Sequence, residues 1–264
     1  MWAEGFSKMR SVIVDRTHYP TMNKTLIWDL PTRLFHWAFA GSLIATFVFA
    51  LCVDDDSPLF RLHMIFGLVA VFLLVLRVAW GLFGSYYVRF SSLPLNPTKA
   101  AQYFAGIISG MAKRYVGHNP GSALAALAMF ALVPAIVFTG LGRGGEAFEE
   151  VHEVLAYTLL AVIGAHLLGL VVHARRYDDN TAASMITGTK KVPAEAAIRS
   201  AHPAWALAFF AVAAAWTVAL ISSYDANAAT VRVPLVGAVV QLGENEGGEG
   251  NDHGDGREDD DHDH

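Results

Sequence analysis

The sequence predicts an all-α integral membrane protein, on three observations: five long apolar runs, sparse charge, and four histidines placed near the ends of those runs. Of 264 residues 54% are hydrophobic and 16% charged, with a mean hydropathy of +0.38, whereas soluble domains carry roughly 25% charged residues. A hydrocarbon core needs about 20 consecutive apolar residues. Five runs qualify: Phe35 to Val53, Leu62 to Leu82, Ser122 to Leu141, Val154 to Val172 and Pro203 to Ser222. Apart from Arg77, close enough to the end of its run to snorkel, they contain no Lys, Arg, Asp or Glu. Lipid is therefore the expected surrounding, and nucleic acid is not among the expected partners.

The first run is long for a signal peptide, follows a charged segment and precedes Asp54, Asp55 and Asp56 without a small-x-small cleavage site, so it is expected to stay in the mature chain. Basic residues set the orientation. Lys8, Arg10, Arg16, Lys24 and Arg33 precede the first helix; Arg89, Lys99, Lys113 and Arg114 lie in the second loop; Arg175, Arg176, Lys190, Lys191 and Arg199 lie in the fourth. The first and third loops hold only Arg61 and Arg143. The N-terminus is thus expected in the cytoplasm of a bacterial inner membrane and, after five crossings, the C-terminus in the periplasm.

Between the second and third spans, Asn96 and Pro97 supply an N-cap and a first helical position. Tyr103, Phe104, Ile107, Ile108 and Met111 then alternate with Lys99, Gln102, Lys113 and Arg114 through Tyr115. This reads as an interfacial amphipathic helix, against an ordinary polar loop. Asn119 or a neighbour is expected to cap the third span. Beyond the fifth span, valine-rich Thr230 to Leu242 reads as a strand or extended segment, and Gly243 to His264 as a solvated acidic tail. Ten carboxylates and Arg257 give that tail a formal charge of −9, so the rest of the chain carries +4 against the whole chain's −5. His253, His262 and His264 within it offer at most a weak metal site. Cys52 is the single cysteine; it excludes an intrachain disulfide and a C-x-x-C-H haem attachment, and is read as a small buried hydrophobe.

His152 and His166 stand 14 residues apart in the fourth span. On a helix that separation is about 21 Å, with both side chains within about 40° of one azimuth, so one helix can serve two stacked cofactors. Between them only Tyr157 is another conceivable ligand. His36 lies at the start of the first span and His63 at the start of the second, which runs the opposite way. Matching depths gives one arrangement: His63 with His152 at the periplasmic side, and His36 with His166 at the cytoplasmic side. Four imidazoles in two axial pairs make the pattern of a di-haem electron-transfer bundle, and the run from Pro203 adds a fifth, C-terminal transmembrane helix. Two axial imidazoles leave no open position on the iron, which suits electron transfer. His173, seven residues past His166 and beside Arg175 and Arg176, is read as interfacial. Arg33, Arg61 and Arg77 are candidate propionate partners or snorkelling charges; Gly41, Gly67, Gly140, Gly164 and Gly169 serve close packing, of a macrocycle or of helices.

The run from Trp28, Asp29, Leu30, Pro31, Thr32, Arg33, Leu34, Phe35 and His36 to Trp37, then Leu62 to Gly67 around His63, then Gly117, His118, Asn119 and Pro120, and finally His152 with His166, resembles the bacterial cytochrome b561 family, including the similar cytochrome b subunits of nickel-iron hydrogenases. The resemblance covers roughly residues 26–191. It implies a four-helix cytochrome with two haem b groups, ligated by His36, His63, His152 and His166, that exchanges electrons between the membrane quinone pool and a periplasmic redox partner. That partner is a c-type cytochrome or other oxidoreductase, or a hydrogenase-like enzyme; any enzymatic activity would be that of a quinol oxidoreductase, and no catalytic residue is assigned. The competing reading is an intramembrane-histidine transporter of metal ions or protons, against which stands the lack of carboxylates in the spans; a third is a non-redox membrane anchor. The organisation read from the sequence is a cytoplasmic segment over 1–25, the di-haem domain over 26–191, a loop and fifth span over 192–225, and a periplasmic, largely disordered acidic tail over 226–264.

Overall fold

A computed structural model describes residues 22–111, 113–141, 145–177 and 181–242. The acidic tail from residue 243, the first 21 residues and Arg143 lie outside the described residues. Seven α-helices and two small β-ribbons follow one another: β1 (Asn23–Leu26), α1 (Leu30–Cys52), α2 (Arg61–Phe83), α3 (Pro97–Ser109), α4 (Pro120–Leu141), α5 (Glu146–Tyr177), α6 (Thr181–Thr187), β2 (Thr189–Val192), α7 (Pro203–Ser222), β3 (Thr230–Arg232) and β4 (Val239–Gln241). The five apolar runs are α1, α2, α4, α5 and α7, each long and apolar enough to cross a membrane. Many of their outward side chains, among them Ile44, Val75, Phe138, Leu168 and Phe210, are exposed in the protein alone. Lipid is the solvent that satisfies such a surface.

The end of the bundle where α1 begins is termed here the near end, and the opposite end the far end. α1 and α2 pack as one antiparallel pair and α4 and α5 as another, with α2 against α4 and α7 against α1 and α2. Phe35, Phe39 and Leu43 of α1, Ala70, Leu73 and Leu74 of α2, Val133 of α4 and Leu159 of α5 form the mid-bundle core. At the far end, Trp216 and Leu220 of α7 and Ile65 and Leu68 of α2 bury Val231 and Leu242. The ribbon of β3 and β4 is thereby clamped to the bundle, with Thr230 opposite Gln241. Residues 226–242, the first part of the expected tail, thus have a fold, because their alternating valines find an apolar wall.

The near end is closed by a ribbon the sequence did not announce. β1 pairs antiparallel with β2, Asn23 opposite Val192 and Leu26 opposite Thr189, so lysines read as loop charges lie in strands. Gly188 makes the turn into β2 at φ +79; a Cβ there would press on the Trp28 carbonyl oxygen at 3.0 Å, and its own carbonyl accepts from the Ile27 and Trp28 amides. Asp29 follows, fully buried. One carboxylate oxygen accepts the Thr32 amide at 3.0 Å as the N-cap of α1, while the other accepts Trp80 Nε1 at 3.1 Å and the Ser85 amide at 3.4 Å. A single carboxylate thereby fastens the start of α1 to the end of α2.

α3 forms where expected, with Asn96 accepting the Lys99 amide at 3.0 Å. It stops at Ser109, short of the expected Tyr115, because Gly110 takes the left-handed conformation at φ +80 that ends helices. Asn119 caps α4 through the Ser122 amide at 2.8 Å, as read from the sequence. Two expectations are corrected. Cys52 is exposed at the last position of α1, not a buried hydrophobe, because the bundle does not cover that helix end. Arg77 does not snorkel: it is 5% exposed, held inside the bundle by aromatic rings.

Candidate haem site

α5 is the helix on which the site depends, and it packs closely along α4 but makes at most glancing approaches to α1 and α2. The four histidines named from the sequence sit on the helices that face one another across this gap: His36 on α1, His63 on α2, and His152 and His166 on α5. All four are half-buried.

At the far end the imidazoles of His63 and His152 have ring centroids 6.1 Å apart with planes inclined by 72°. Two imidazoles bound through one nitrogen each to a single metal, at about 2.0–2.1 Å, have centroids roughly 6.3 Å apart, so the observed spacing suits a shared axial axis. Each ring is also held by its other nitrogen. His63 Nδ1 lies 3.0 Å from the Thr46 carbonyl oxygen and His152 Nδ1 lies 2.9 Å from that of Ile136. A proton on Nδ1, donated to the carbonyl, leaves Nε2 as the unprotonated nitrogen that a metal requires. Gly140, one turn beyond Ile136, makes room for the His152 ring: a Cβ there would meet its Cε1 at 2.8 Å and Nδ1 at 2.9 Å.

At the near end His36 and His166 are close enough to act on one another electrostatically. His36 lies six residues inside α1, with Trp37 edge-on at 5.3 Å. Leu159, in the apolar core, is midway in sequence between His152 and His166 and separates the two pairs. Gly41, Gly164 and Gly169 face open space, with nothing within 4 Å of a Cβ built on them, while Gly67 is in ordinary contact with Val137. The donor set and the open flank of α5 fit a haem at each level, and at the far end the fixed Nδ1 protons add to that fit. No group of three or more metal-ligating side chains occurs among the described residues, so a histidine pair completed by a porphyrin, not a protein-only metal cage, is the centre this chemistry can build.

Other sequence-named residues are placed elsewhere. Tyr157 is exposed. His173 is 6% exposed, a buried side chain at the near end of α5. Arg33 donates to the Ile186 carbonyl, and Arg61 donates to Tyr224 Oη at 2.8 Å and to the Ala226 carbonyl at 3.1 Å. Both thus serve chain connections at the bundle ends.

His118 acquires a place that its motif alone did not give. Its ring lies edge-on to Trp28 at 4.9 Å, with Nδ1 3.2 Å from the Tyr87 carbonyl. Burial, and then the positive charges of Arg77 and Lys190, push it down to about 3, so it is neutral at physiological pH, and His166 is near enough to contribute. His118 also lines a cavity of about 660 Å³ under α3, with Tyr86, Tyr87, Lys99, Tyr103 and Tyr115. The Tyr87 phenol is raised to about 12 by burial and stays protonated. This wall sets a neutral imidazole and phenols beside the Lys99 ammonium.

No curated protein and no solved structure matches the chain. The protein-family model described as prokaryotic cytochrome b561 matches residues 27–188, which contain the whole of α1, α2, α4 and α5 and all four histidines. With five apolar spans and a ligand set suited to b haem, the chain belongs to the prokaryotic cytochrome b561 family and is a membrane b-type electron-transfer cytochrome.

Proposed function

We propose that the protein holds two b haems at two depths, one between His63 and His152 and one between His36 and His166, and passes single electrons between the quinone pool and a periplasmic redox partner. The observation that carries this reading is the far-end pair, whose 6.1 Å centroid spacing and two anchored Nδ1 atoms suit one axial axis. A haem with both axial positions filled changes between ferric and ferrous without opening a site to oxygen. The protein's part is to fix ligand orientation through the Thr46 and Ile136 carbonyls, to keep the core between the levels apolar, and to separate the two pairs by about 21 Å along α5. Quinone exchange is assigned to the near-end cavity of about 660 Å³, within the range of small-molecule sites. There neutral His118 offers a ring nitrogen, the Tyr87 phenol, whose own proton goes to the Ala196 carbonyl at 3.0 Å, offers an acceptor oxygen, and Lys99 supplies a charged donor.

The basic residues around β1, α3 and β2 support a cytoplasmic near end, and the ribbon of β3 and β4 then lies in the periplasm. The acidic tail would offer a basic redox protein such as a c-type cytochrome an attractive surface, and a hydrogenase-like donor would drive electrons the other way. The deciding experiment is a pyridine haemochrome assay with a reduced-minus-oxidised spectrum on the purified full chain. Two b haems per chain are expected, falling to one in His63→Ala and one in His36→Ala. A chain that binds none in any preparation contradicts the relay.

A further inference from the structure

Arginine is among the residues least often buried without a partner, and Arg77 is 5% exposed inside a membrane bundle. Its guanidinium sits 5.7–5.9 Å from the ring centroids of Phe35, Phe90 and Phe130, drawn from three parts of the chain. Among the described residues its one hydrogen bond runs from Nη2 to the Val88 carbonyl at 3.0 Å, and Nη1 is buried with no partner. Gly81, one turn along α2, leaves the space it occupies: a Cβ there would stand 2.9 Å from Nη1 and 2.5 Å from the Phe90 ring. Asp29 acts on Arg77 through space, but both its oxygens are engaged by Thr32, Trp80 and Ser85. The fold therefore builds a caged cation that, among the described residues, has no directly bound anion.

Its depth says which anion. Arg77 lies six residues before the near end of α2, and His36 six residues after the near end of α1, so each is about 9 Å inside the bundle. Phe35, under the guanidinium, is the neighbour of His36 in the chain. A haem held by His36 and His166 would carry two propionate carboxylates, and a guanidinium fork matches a carboxylate better than any other side chain.

We propose that Arg77 is a positioning residue for the near-end haem, pairing with one of its propionates and holding its reduction potential up. The proposal rests on the di-haem reading given above. A fixed positive charge inside a low-dielectric bundle favours the ferrous form, which carries one positive charge fewer. Removing it is expected to shift that haem's reduction equilibrium about tenfold toward the oxidised form, which is about 59 mV for one electron.

The test is spectropotentiometric titration of the purified full chain and of Arg77→Gln, Arg77→Lys and Gly81→Ala, with His36→Ala marking which wave belongs to the near-end haem. Expected is a lowered near-end potential in Arg77→Gln, a smaller drop in Arg77→Lys and in Gly81→Ala, an unmoved far-end wave, and loss of a propionate band in the redox-difference infrared spectrum of Arg77→Gln. A merely structural arginine would lower thermal stability without moving one potential selectively. Unchanged potentials with both haems retained overturn the proposal, as does equal loss of both haems in all three variants. An unmutated chain without haem would instead overturn the di-haem reading itself.

Discussion

Gly140→Ala puts one methyl group against one ring. In a helix interior alanine is favoured over glycine by about 0.8–1.0 kcal/mol, so α4 itself gains from the change. The added Cβ, however, would stand 2.8 Å from His152 Cε1 and 2.9 Å from Nδ1, several tenths of an ångström inside the contact distance of about 3.5 Å. The ring has to turn or tilt away. Doing so strains a side-chain rotamer at about 0.5–1.5 kcal/mol and weakens the 2.9 Å bond to the Ile136 carbonyl, worth about another 0.5–1.5 kcal/mol. With haem bound the ring is held against the new methyl, whereas without haem it can settle in another rotamer, so the far-end ligand pair should lose up to about 1–3 kcal/mol, or roughly 5- to 150-fold in haem affinity. Haem stoichiometry by pyridine haemochrome, measured during dilution into excess apomyoglobin as an acceptor, reads this directly. The far-end haem should leave first and the near-end haem should stay. Gly140→Ala protein that keeps both haems with unmutated release rates would refute the claim that this glycine exists to seat His152.

His166→Ala should remove the near-end haem alone, whereas His173→Ala, which empties a buried position, should lower the melting temperature and keep two haems; haem counts with the reverse outcome would move the ligand by two turns. Asp29→Ala leaves Trp80 Nε1, the Ser85 amide and the cap of α1 unsatisfied, at about 2–5 kcal/mol in total, and thermal unfolding in detergent should show a marked drop. His118 is neutral in the folded protein and protonates near 6.5 when unfolded. The stability it contributes is complete above about pH 6.5 and is lost, by up to about 1.4 kcal/mol per pH unit, as pH falls from 6.5 toward 3. His118→Gln should therefore be less acid-sensitive than the unmutated protein in thermal melts between pH 7 and pH 5; equal sensitivity would count against an imidazole held neutral by the fold.

The sequence by itself determined the spans, and the reason is local: an uninterrupted apolar run of 20 residues has one low-energy fate in lipid, a helix whose backbone bonds all close within the run. Ends were legible where a side chain signals them, as with Asn96, Asn119 and Pro203, and missed where Gly110 stops α3 by its backbone alone. The histidine spacing on α5 fixed two levels because helix rise is constant. What lies between helices was not written in any window of sequence. The pairing of β1 with β2 joins segments more than 160 residues apart, and the cavity under α3 needs the segments on either side of that helix folded back onto it. The burial of Arg77 beneath three phenylalanines contradicted its position near a helix end, which by depth alone suited a snorkelling charge. Likewise the seat of His152 is set by the absence of an atom on Gly140, a fact about two helix surfaces in contact. Periodicity and hydropathy act along the chain and can be read along it; cages, seats and ribbons depend on distances between residues remote in the chain, which only packing decides.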